Sequence, residues 1–239
     1  MKAMILAAGL GTRLKPFTDM HPKALAEINN KTLLQHNIEY LLRFDIDEII
    51  VNVHHFAEQV VDKINKNNGW GAKITISNET DLLLETGGGL KKASWFFENE
   101  KIPFVLLNVD ILTDFDLKHI IDFHNVQNNL ATLFVSSRET SRYFLFDENF
   151  VLSGWKNSKT QETKITRNVK NLKKMAFNGL HVISPKIFSL IKQEGKFSIV
   201  DTYLDLSKTE IIKGYNDDKC KIIDVGKPDS IAMAEKLFI

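Results

Sequence analysis

The sequence predicts an α/β fold, a mainly parallel, mixed sheet flanked by helices, folded as a single domain over 1–239. Three observations carry this reading. Short apolar runs alternate with segments whose apolar residues recur at helical spacing, as in repeated β-α-β units. The first such run empties into a loop of small residues, Ala7-Ala8-Gly9-Leu10-Gly11. At 239 residues and 44% hydrophobic, the chain can bury a real core without a disulfide or metal staple.

The elements follow in order. Ala3-Met4-Ile5-Leu6 is the first strand. Thr32 can cap a helix whose apolar positions are Leu33, Leu34, Ile38, Leu41 and Leu42. Glu48 to Val53 is β-branched and reads as a strand. Phe56 to Ile64 reads as a helix with Val60, Val61 and Ile64 on one face. Lys73 to Ile76 is a strand, Leu90 to Phe97 a helix, and Phe104 to Leu107 a buried strand. Leu117 to Phe123 starts a helix and Ala131 to Val135 forms a strand. Tyr143 to Trp155, with a turn at Gly154, reads as a hairpin. Asn157 to Lys174 is polar and lysine-rich, either a mobile excursion or a solvated loop. Phe177 to Ile183 is a strand, Pro185 to Lys192 a short helix, Lys221 to Asp224 a last strand and Ser230 to Leu237 a last helix. Ligands of such sheets bind in the loops beyond the carboxyl ends of the strands.

Composition narrows the function. Lys plus Arg number 31 and Asp plus Glu 30, a balance that argues against a general nucleic-acid binder. The one cysteine, Cys220, cannot pair internally, which fits a reducing compartment and a cytoplasmic location. No apolar run approaches the roughly 18 residues of a membrane span. Met1-Lys2 followed by Ala3 to Leu10 faintly mimics a signal peptide, but Arg13 and Lys15 follow at once.

The informative stretch runs from Leu6 to Pro16, followed by Pro22-Lys23. A strand enters a loop of small residues, whose backbone N–H groups can approach phosphate oxygens closely. Arg13, one of five arginines against twenty-six lysines, offers a fork of donors to polyphosphate. A dinucleotide fingerprint would need glycine where Leu14 stands, and the Gly-Lys-Ser/Thr of a P-loop is absent. Asp110 and Asp224 each close an apolar run, 114 residues apart. A strand-end Asp is commonly a cap or turn former, but two of them could share one Mg²⁺, which takes one or two carboxylates plus phosphate oxygens.

Ala7-Ala8-Gly9-Leu10-Gly11-Thr12-Arg13-Leu14-Lys15-Pro16 with Pro22-Lys23 resembles the signature of the sugar-1-phosphate nucleotidyltransferases. The resemblance continues through Glu85-Thr86-Gly87-Gly88-Gly89, Asn108-Val109-Asp110 and Ile223-Asp224-Val225-Gly226, across nearly the whole chain. It implies a Rossmann-like fold of the nucleotide-diphospho-sugar transferase type. About 1–135 would form the nucleotide-binding half and about 136–239 the sugar-phosphate half. It implies that Ala7, Ala8, Gly9, Gly11 and Thr12 hold a nucleoside triphosphate, and that Arg13 grips the departing pyrophosphate. Lys23 would contact phosphates near the reacting centre, and Asp110 and Asp224 would hold Mg²⁺. Arg13, Lys23 and Asp110 are thus the catalytic candidates. Glu85, Thr86 and Gly87 would lie against the nucleobase, and Asn108, Asn178 and Gly179 would meet the sugar.

Three departures stand out. Val109 replaces the glycine that commonly precedes the metal-binding Asp, the Glu-Lys-Pro block of the second half is missing, and Asn30-Lys31-Thr32 stands where relatives often show Lys-Pro. The Glu-Thr-Gly-Gly-Gly block is similar to that of N-acetylmuramate-1-phosphate uridylyltransferase-like enzymes. It implies UTP and an N-acetylmuramate-1-phosphate-like sugar as substrates, in a monomer or small homo-oligomer making cell-wall or polysaccharide precursors. A mannose-1-phosphate guanylyltransferase-type enzyme using GTP is the alternative. A non-catalytic nucleotide-sugar sensor and a cytidylyltransferase acting on a non-sugar phosphate such as choline phosphate are further ones. Neighbouring His54 and His55 would point to opposite faces of a strand and so cannot chelate a metal together. The run Lys170 to Lys174 is a solvated surface or a lid over an anionic ligand.

Overall fold

Strands that are apolar at every position need cover on both faces. The structure, a computed structural model describing residues 1–238, provides it. Its strands are β1 (Lys2–Leu6), β2 (Glu27–Ile28), β3 (Lys31–Thr32), β4 (Glu48–Val53), β5 (Lys73–Asn78), β6 (Phe104–Asn108), β7 (Ile111–Thr113), β8 (Ala131–Ser136), β9 (Arg142–Phe146), β10 (Leu152–Asn157), β11 (Thr163–Ile165), β12 (Lys173–Ile183), β13 (Ile212–Asn216) and β14 (Ile222–Asp224). Its helices are α1 (Leu33–Leu42), α2 (Ala57–Lys66), α3 (Glu85–Lys92), α4 (Leu117–Gln127), α5 (Ile187–Leu190), α6 (Ile199–Leu206) and α7 (Pro228–Leu237).

The sheet is mixed. β5, β4, β1 and β6 lie side by side in that order and run parallel. β12 then joins β6 antiparallel and carries the second half of the chain, with β8 and β9 both pairing to it. The chain starts at β1, builds outward through β4 and β5, and returns to the other side of β1 with β6. That reversal opens a crevice beyond the carboxyl ends of β1 and β6, where ligands of open α/β sheets bind.

Side chains of one strand divide between two cores. Ala3 and Ile5 of β1 pack on one face with Leu34, Ile38 and Leu41 of α1 and Val60 of α2. Met4 and Leu6 pack on the other with Leu90 of α3 and Ile199 and Tyr203 of α6. Thr32 caps α1 as expected, accepting from the Gln35 N–H at 3.1 Å. Among the described residues, no helix is long and apolar enough to cross a membrane.

Several segments differ from the sequence expectation. Asn157 to Lys174 is largely exposed, as a solvated loop would be, but it carries a short edge strand and is tied down: β11 pairs with β10, and Arg167 donates to the carbonyls of Ser207 and Glu210 after α6. Lys173 and Lys174 already belong to β12. Asn29 and Asn30 form the tight turn of the β2–β3 hairpin, both at positive φ, a conformation asparagine tolerates. His54 and His55 lie just past the end of β4, and His54 Nδ1 sits 2.7 Å from the Glu79 carbonyl. The strand at Asp224 lies outside the main sheet and pairs with β7 alone.

Candidate active site

The loop after β1 is anchored at both ends. The Ala7 N–H donates to Asn52 Oδ1 at 2.7 Å, and the Leu14 N–H and Thr18 Oγ1 both donate to the Gly11 carbonyl. Gly11 has φ +61°, and a Cβ there would lie 2.9 Å from Lys23 Cβ. Glycine thus permits both the turn and the approach of the Pro22-Lys23 segment over it. Arg13 rides on a short helical turn, Thr12–Leu14, and Lys23 on another, Lys23–Leu25.

The two acids meet through backbone pairing. β6 ends at Asn108, and the Val109 N–H donates to the Leu6 carbonyl at 3.1 Å, bringing the turn at Asp110 beside the glycine loop. The chain continues into β7, which β14 pairs antiparallel with Asp224 opposite Ile111. The Val225 N–H donates to the Asp110 carbonyl at 2.8 Å. Residues 114 positions apart thereby become neighbours. Lys23 Nζ forms an ion pair with Asp110 Oδ2. Gly226 completes the cluster: a Cβ there would lie 2.6 Å from Asp224 Oδ1 and 2.7 Å from an Arg13 guanidinium nitrogen. Burial, then the facing Asp110 carboxylate, pushes the Asp224 pKa above the usual carboxylate range, against Lys23, Arg13 and Arg138. Two hard carboxylates side by side suit Mg²⁺, which takes one or two carboxylates together with phosphate oxygens.

Arg13, Lys23, Asp110 and Gly226 line a cavity of about 410 Å³. Ala8, Gly9, Gly11, Thr12, Arg13 and Lys23 line it from the first loop, Glu85 and Thr86 from the start of α3, and Asn108 and Asp110 from the end of β6. Ala7 is buried beneath it. Asp224 and Asn178 instead line an adjoining cavity of about 180 Å³, together with Arg138 and Ile111. Asn178 is fully buried and accepts from Ser136 Oγ and Arg138 Nε, both at 3.0 Å. Gly179, at φ +71°, breaks the register of β12, and a Cβ there would lie 2.9 Å from Asn108 Nδ2. Most of the predicted residues therefore line two adjoining pockets, while Ala7, Gly87 and Gly179 line neither and Gly179 lies beside Asn108.

The Gly87-Gly88-Gly89 segment is not an open loop before a helix. It forms the first turns of α3, followed by a tighter turn through Ala93–Phe97. The flat object that Gly87 approaches is the Phe197 ring, 2.5 Å from where its Cβ would stand, and its N–H donates to the Phe197 carbonyl. Gly87 thus faces the segment before α6 rather than the cavity. Thr86 Oγ1 accepts from the Ile199 N–H at 2.9 Å, tying α3 to α6. Sequence reasoning missed Asn52, Leu83, Ser198 and Arg138, which also line the two cavities. Asn52 left a signal, a polar residue inside a β-branched strand, where asparagine is disfavoured. Arg138 left none beyond the scarcity of arginine.

A family model described as Nucleotidyl transferase matches residues 2–146, more than half of the chain. The chain belongs to the nucleotidyl transferase family. The matched stretch of this family member contains the glycine loop, Lys23, the Glu85 block and Asp110. Over its full length the chain is 28% identical to mannose-1-phosphate guanyltransferase of Saccharomyces cerevisiae and 29% identical to that of Yarrowia lipolytica. It spans 65% and 64% of the length of these relatives. Among solved structures it is similar to HddC from Yersinia pseudotuberculosis complexed with GMP-PN, with a TM-score of 0.77 and 26% identity, covering 100% of this chain and 99% of that one. UDP-glucose pyrophosphorylase from Acinetobacter baumanii shares the fold, with a TM-score of 0.78 and 15% identity over 98% of this nucleotidyl transferase and 91% of that chain.

Proposed function

We propose that the chain transfers a nucleotidyl group from a nucleoside triphosphate to a sugar 1-phosphate, with release of pyrophosphate. The observation that carries this reading is the convergence of Arg13, Lys23 and Asp110 on a cavity walled by the glycine loop, with Asp224 beside them in the adjoining pocket. GTP and a mannose-1-phosphate-like sugar are the favoured substrates. The relatives named mannose-1-phosphate guanyltransferase, and the GMP-PN complex of HddC, support a guanine nucleotide over the uridylyl reading of the Glu-Thr-Gly-Gly-Gly block.

The triphosphate lies with its phosphates along the backbone N–H groups of 8–12 and its nucleoside toward Asn52, Leu83 and Thr86. The acceptor occupies the pocket beside Asn108, Asn178 and Gly179. An oxygen of its phosphate, already ionised near neutral pH, attacks the α-phosphorus. The bond to the β-phosphate oxygen breaks as the new one forms, so no general base and no covalent enzyme intermediate are required. Arg13 offers a planar two-point grip on the departing pyrophosphate. Lys23 is the point charge between two approaching anions. Asp110 and Asp224 would hold Mg²⁺, which when bound neutralises phosphate charge and orients the displacement.

Incubation with each of four nucleoside triphosphates and a panel of sugar 1-phosphates, read by pyrophosphate release, tests the reading. Release should require both substrates and run fastest with GTP and mannose 1-phosphate. Faster release with UTP would restore the uridylyl reading, and release in no combination would end the enzymatic one.

A further inference from the structure

The cavity has a phosphate end and a nucleoside end, set by the sheet. Asp110 follows β6, and Asn52 belongs to β4, two strands away across β1. At the usual strand spacing that is roughly 10 Å. Asn52 therefore stands where a triphosphate held at Asp110 would place its base, together with Leu83, Glu85 and Thr86.

Asn52 is 2% exposed, and a buried amide must be partnered. Its Oδ1 accepts from the Ala7 N–H at 2.7 Å, and its Nδ2 donates to Glu79 Oε1 at 2.7 Å. These partners fix which end of the amide is oxygen. A backbone N–H can only donate and a carboxylate only accept, so the reverse orientation would lose both bonds. Glu79 is itself fully buried and held: its Oε2 accepts from the Leu84 N–H at 3.2 Å, and its carbonyl lies 2.7 Å from His54 Nδ1. The site is closed by Gly89, where a Cβ would lie 2.7 Å from Glu79 Oε1 and 2.8 Å from Asn52 Nδ2. An asparagine amide carries two N–H groups. Glu79 takes one, and the other has no partner among the described residues.

We propose that this free N–H donates to a carbonyl on the edge of the nucleobase, which makes Asn52 a specificity-determining residue and Glu79 the positioning residue that locks it. The inference rests on the cavity being the nucleoside triphosphate site and deepens it by naming a substrate class. Bases with an oxo group on that edge, guanine, hypoxanthine and uracil, are accepted. Bases with an amino group there, adenine and cytosine, set donor against donor and are rejected. Rejection of this kind is strong because a buried polar group is left unpaired.

The experiment reverses the polarity of the pair. Asn52→Asp alone sets two carboxylates face to face. Glu79→Gln alone turns one of the two accepting oxygens into a donor, so either Asn52 or the Leu84 N–H then faces an N–H group. In the N52D/E79Q double variant the introduced amide donates to the introduced carboxylate and accepts from Leu84, while Ala7 keeps its acceptor. Thermal unfolding should show both single variants destabilised and the double variant restored. Calorimetric binding of GTP, ITP and ATP without sugar phosphate should show wild type preferring GTP and ITP over ATP by at least about tenfold. The restored double variant should lose that preference. Unperturbed single variants, or a double variant that stays destabilised, would overturn the lock. A restored double variant with an unchanged GTP-to-ATP ratio would overturn base reading by Asn52 and leave the nucleotide site standing. Wild-type protein that binds no triphosphate would overturn the nucleotide site itself.

Discussion

Charge is concentrated in a small space around Asp110, Asp224, Lys23 and Arg13. Asp110 is the only one of the two acids that both lines the larger cavity and pairs with a cation, Lys23, among the described residues. Asp110→Asn keeps the shape and removes the charge, so it should lower kcat by more than about tenfold, a barrier increase above roughly 1.4 kcal/mol. Steady-state rates beside a circular dichroism spectrum check it. A folded variant that retains more than about a tenth of the rate would remove Asp110 from the reacting centre. Much of this cluster was readable as residue types. Arginine is scarce, so Arg13 stood out, and Asp110 and Asp224 stood out because each closes an apolar run. Asn178 and Arg138 show the limit. Their hydrogen bond joins β12 to the loop after β8, and no local pattern encodes a contact across 40 positions.

Elements show a similar division. β1 and β6 were legible as apolar runs buried on both faces, β4 by its β-branched residues, and α1 because Thr32 caps a helical period. β14 was legible as the run Lys221 to Asp224, but β7 is three residues, too short for any period, and it is their pairing that sets Asp224 beside Asp110. The glycines of α3 misled because glycine ordinarily ends helices, and here the helix tolerates them to lie against Phe197 and the Glu79–Asn52 pair. That packing is testable. Gly87→Ala should overpack the α3–α6 junction and destabilise the protein by about 1–3 kcal/mol. Phe197→Ala should relieve part of that cost, so the double variant should be less destabilised than the sum of the two single ones. Urea unfolding of the four proteins measures the coupling. Additivity within about 0.3–0.5 kcal/mol would mean that the ring is not what Gly87 accommodates.

For the whole molecule, two buried histidines set a pH response. His181, between Tyr203 and Phe177, is pushed down to about 3 by burial, and His124, beside Thr132, to about 4. Unfolded, each would titrate near 6.5. Between those values the unfolded chain binds protons that the folded one refuses, so stability rises with pH across the window. Stability should therefore be full above about pH 6.5 and fall as the pH drops toward 4. Urea midpoints at pH 7.5 and 5 should show the loss, and His181→Gln, which takes up no proton, should reduce it. An identical loss in that variant would assign the effect elsewhere. The global topology was legible through the alternation of strands and helices, while the antiparallel insertion of β12 beside β6 was not, because it depends on partner choice between distant strands. The central proposal remains chemical: two adjoining pockets bring the α-phosphate of a nucleoside triphosphate to a sugar phosphate. Phosphorus NMR of the protein with GTP, mannose 1-phosphate and Mg²⁺ addresses it most directly. The account predicts two coupled diphosphate resonances of the nucleotide-sugar and pyrophosphate, growing in equal amounts and reversing when pyrophosphate is added. GMP with pyrophosphate but no nucleotide-sugar, or a spectrum that never changes, would contradict it.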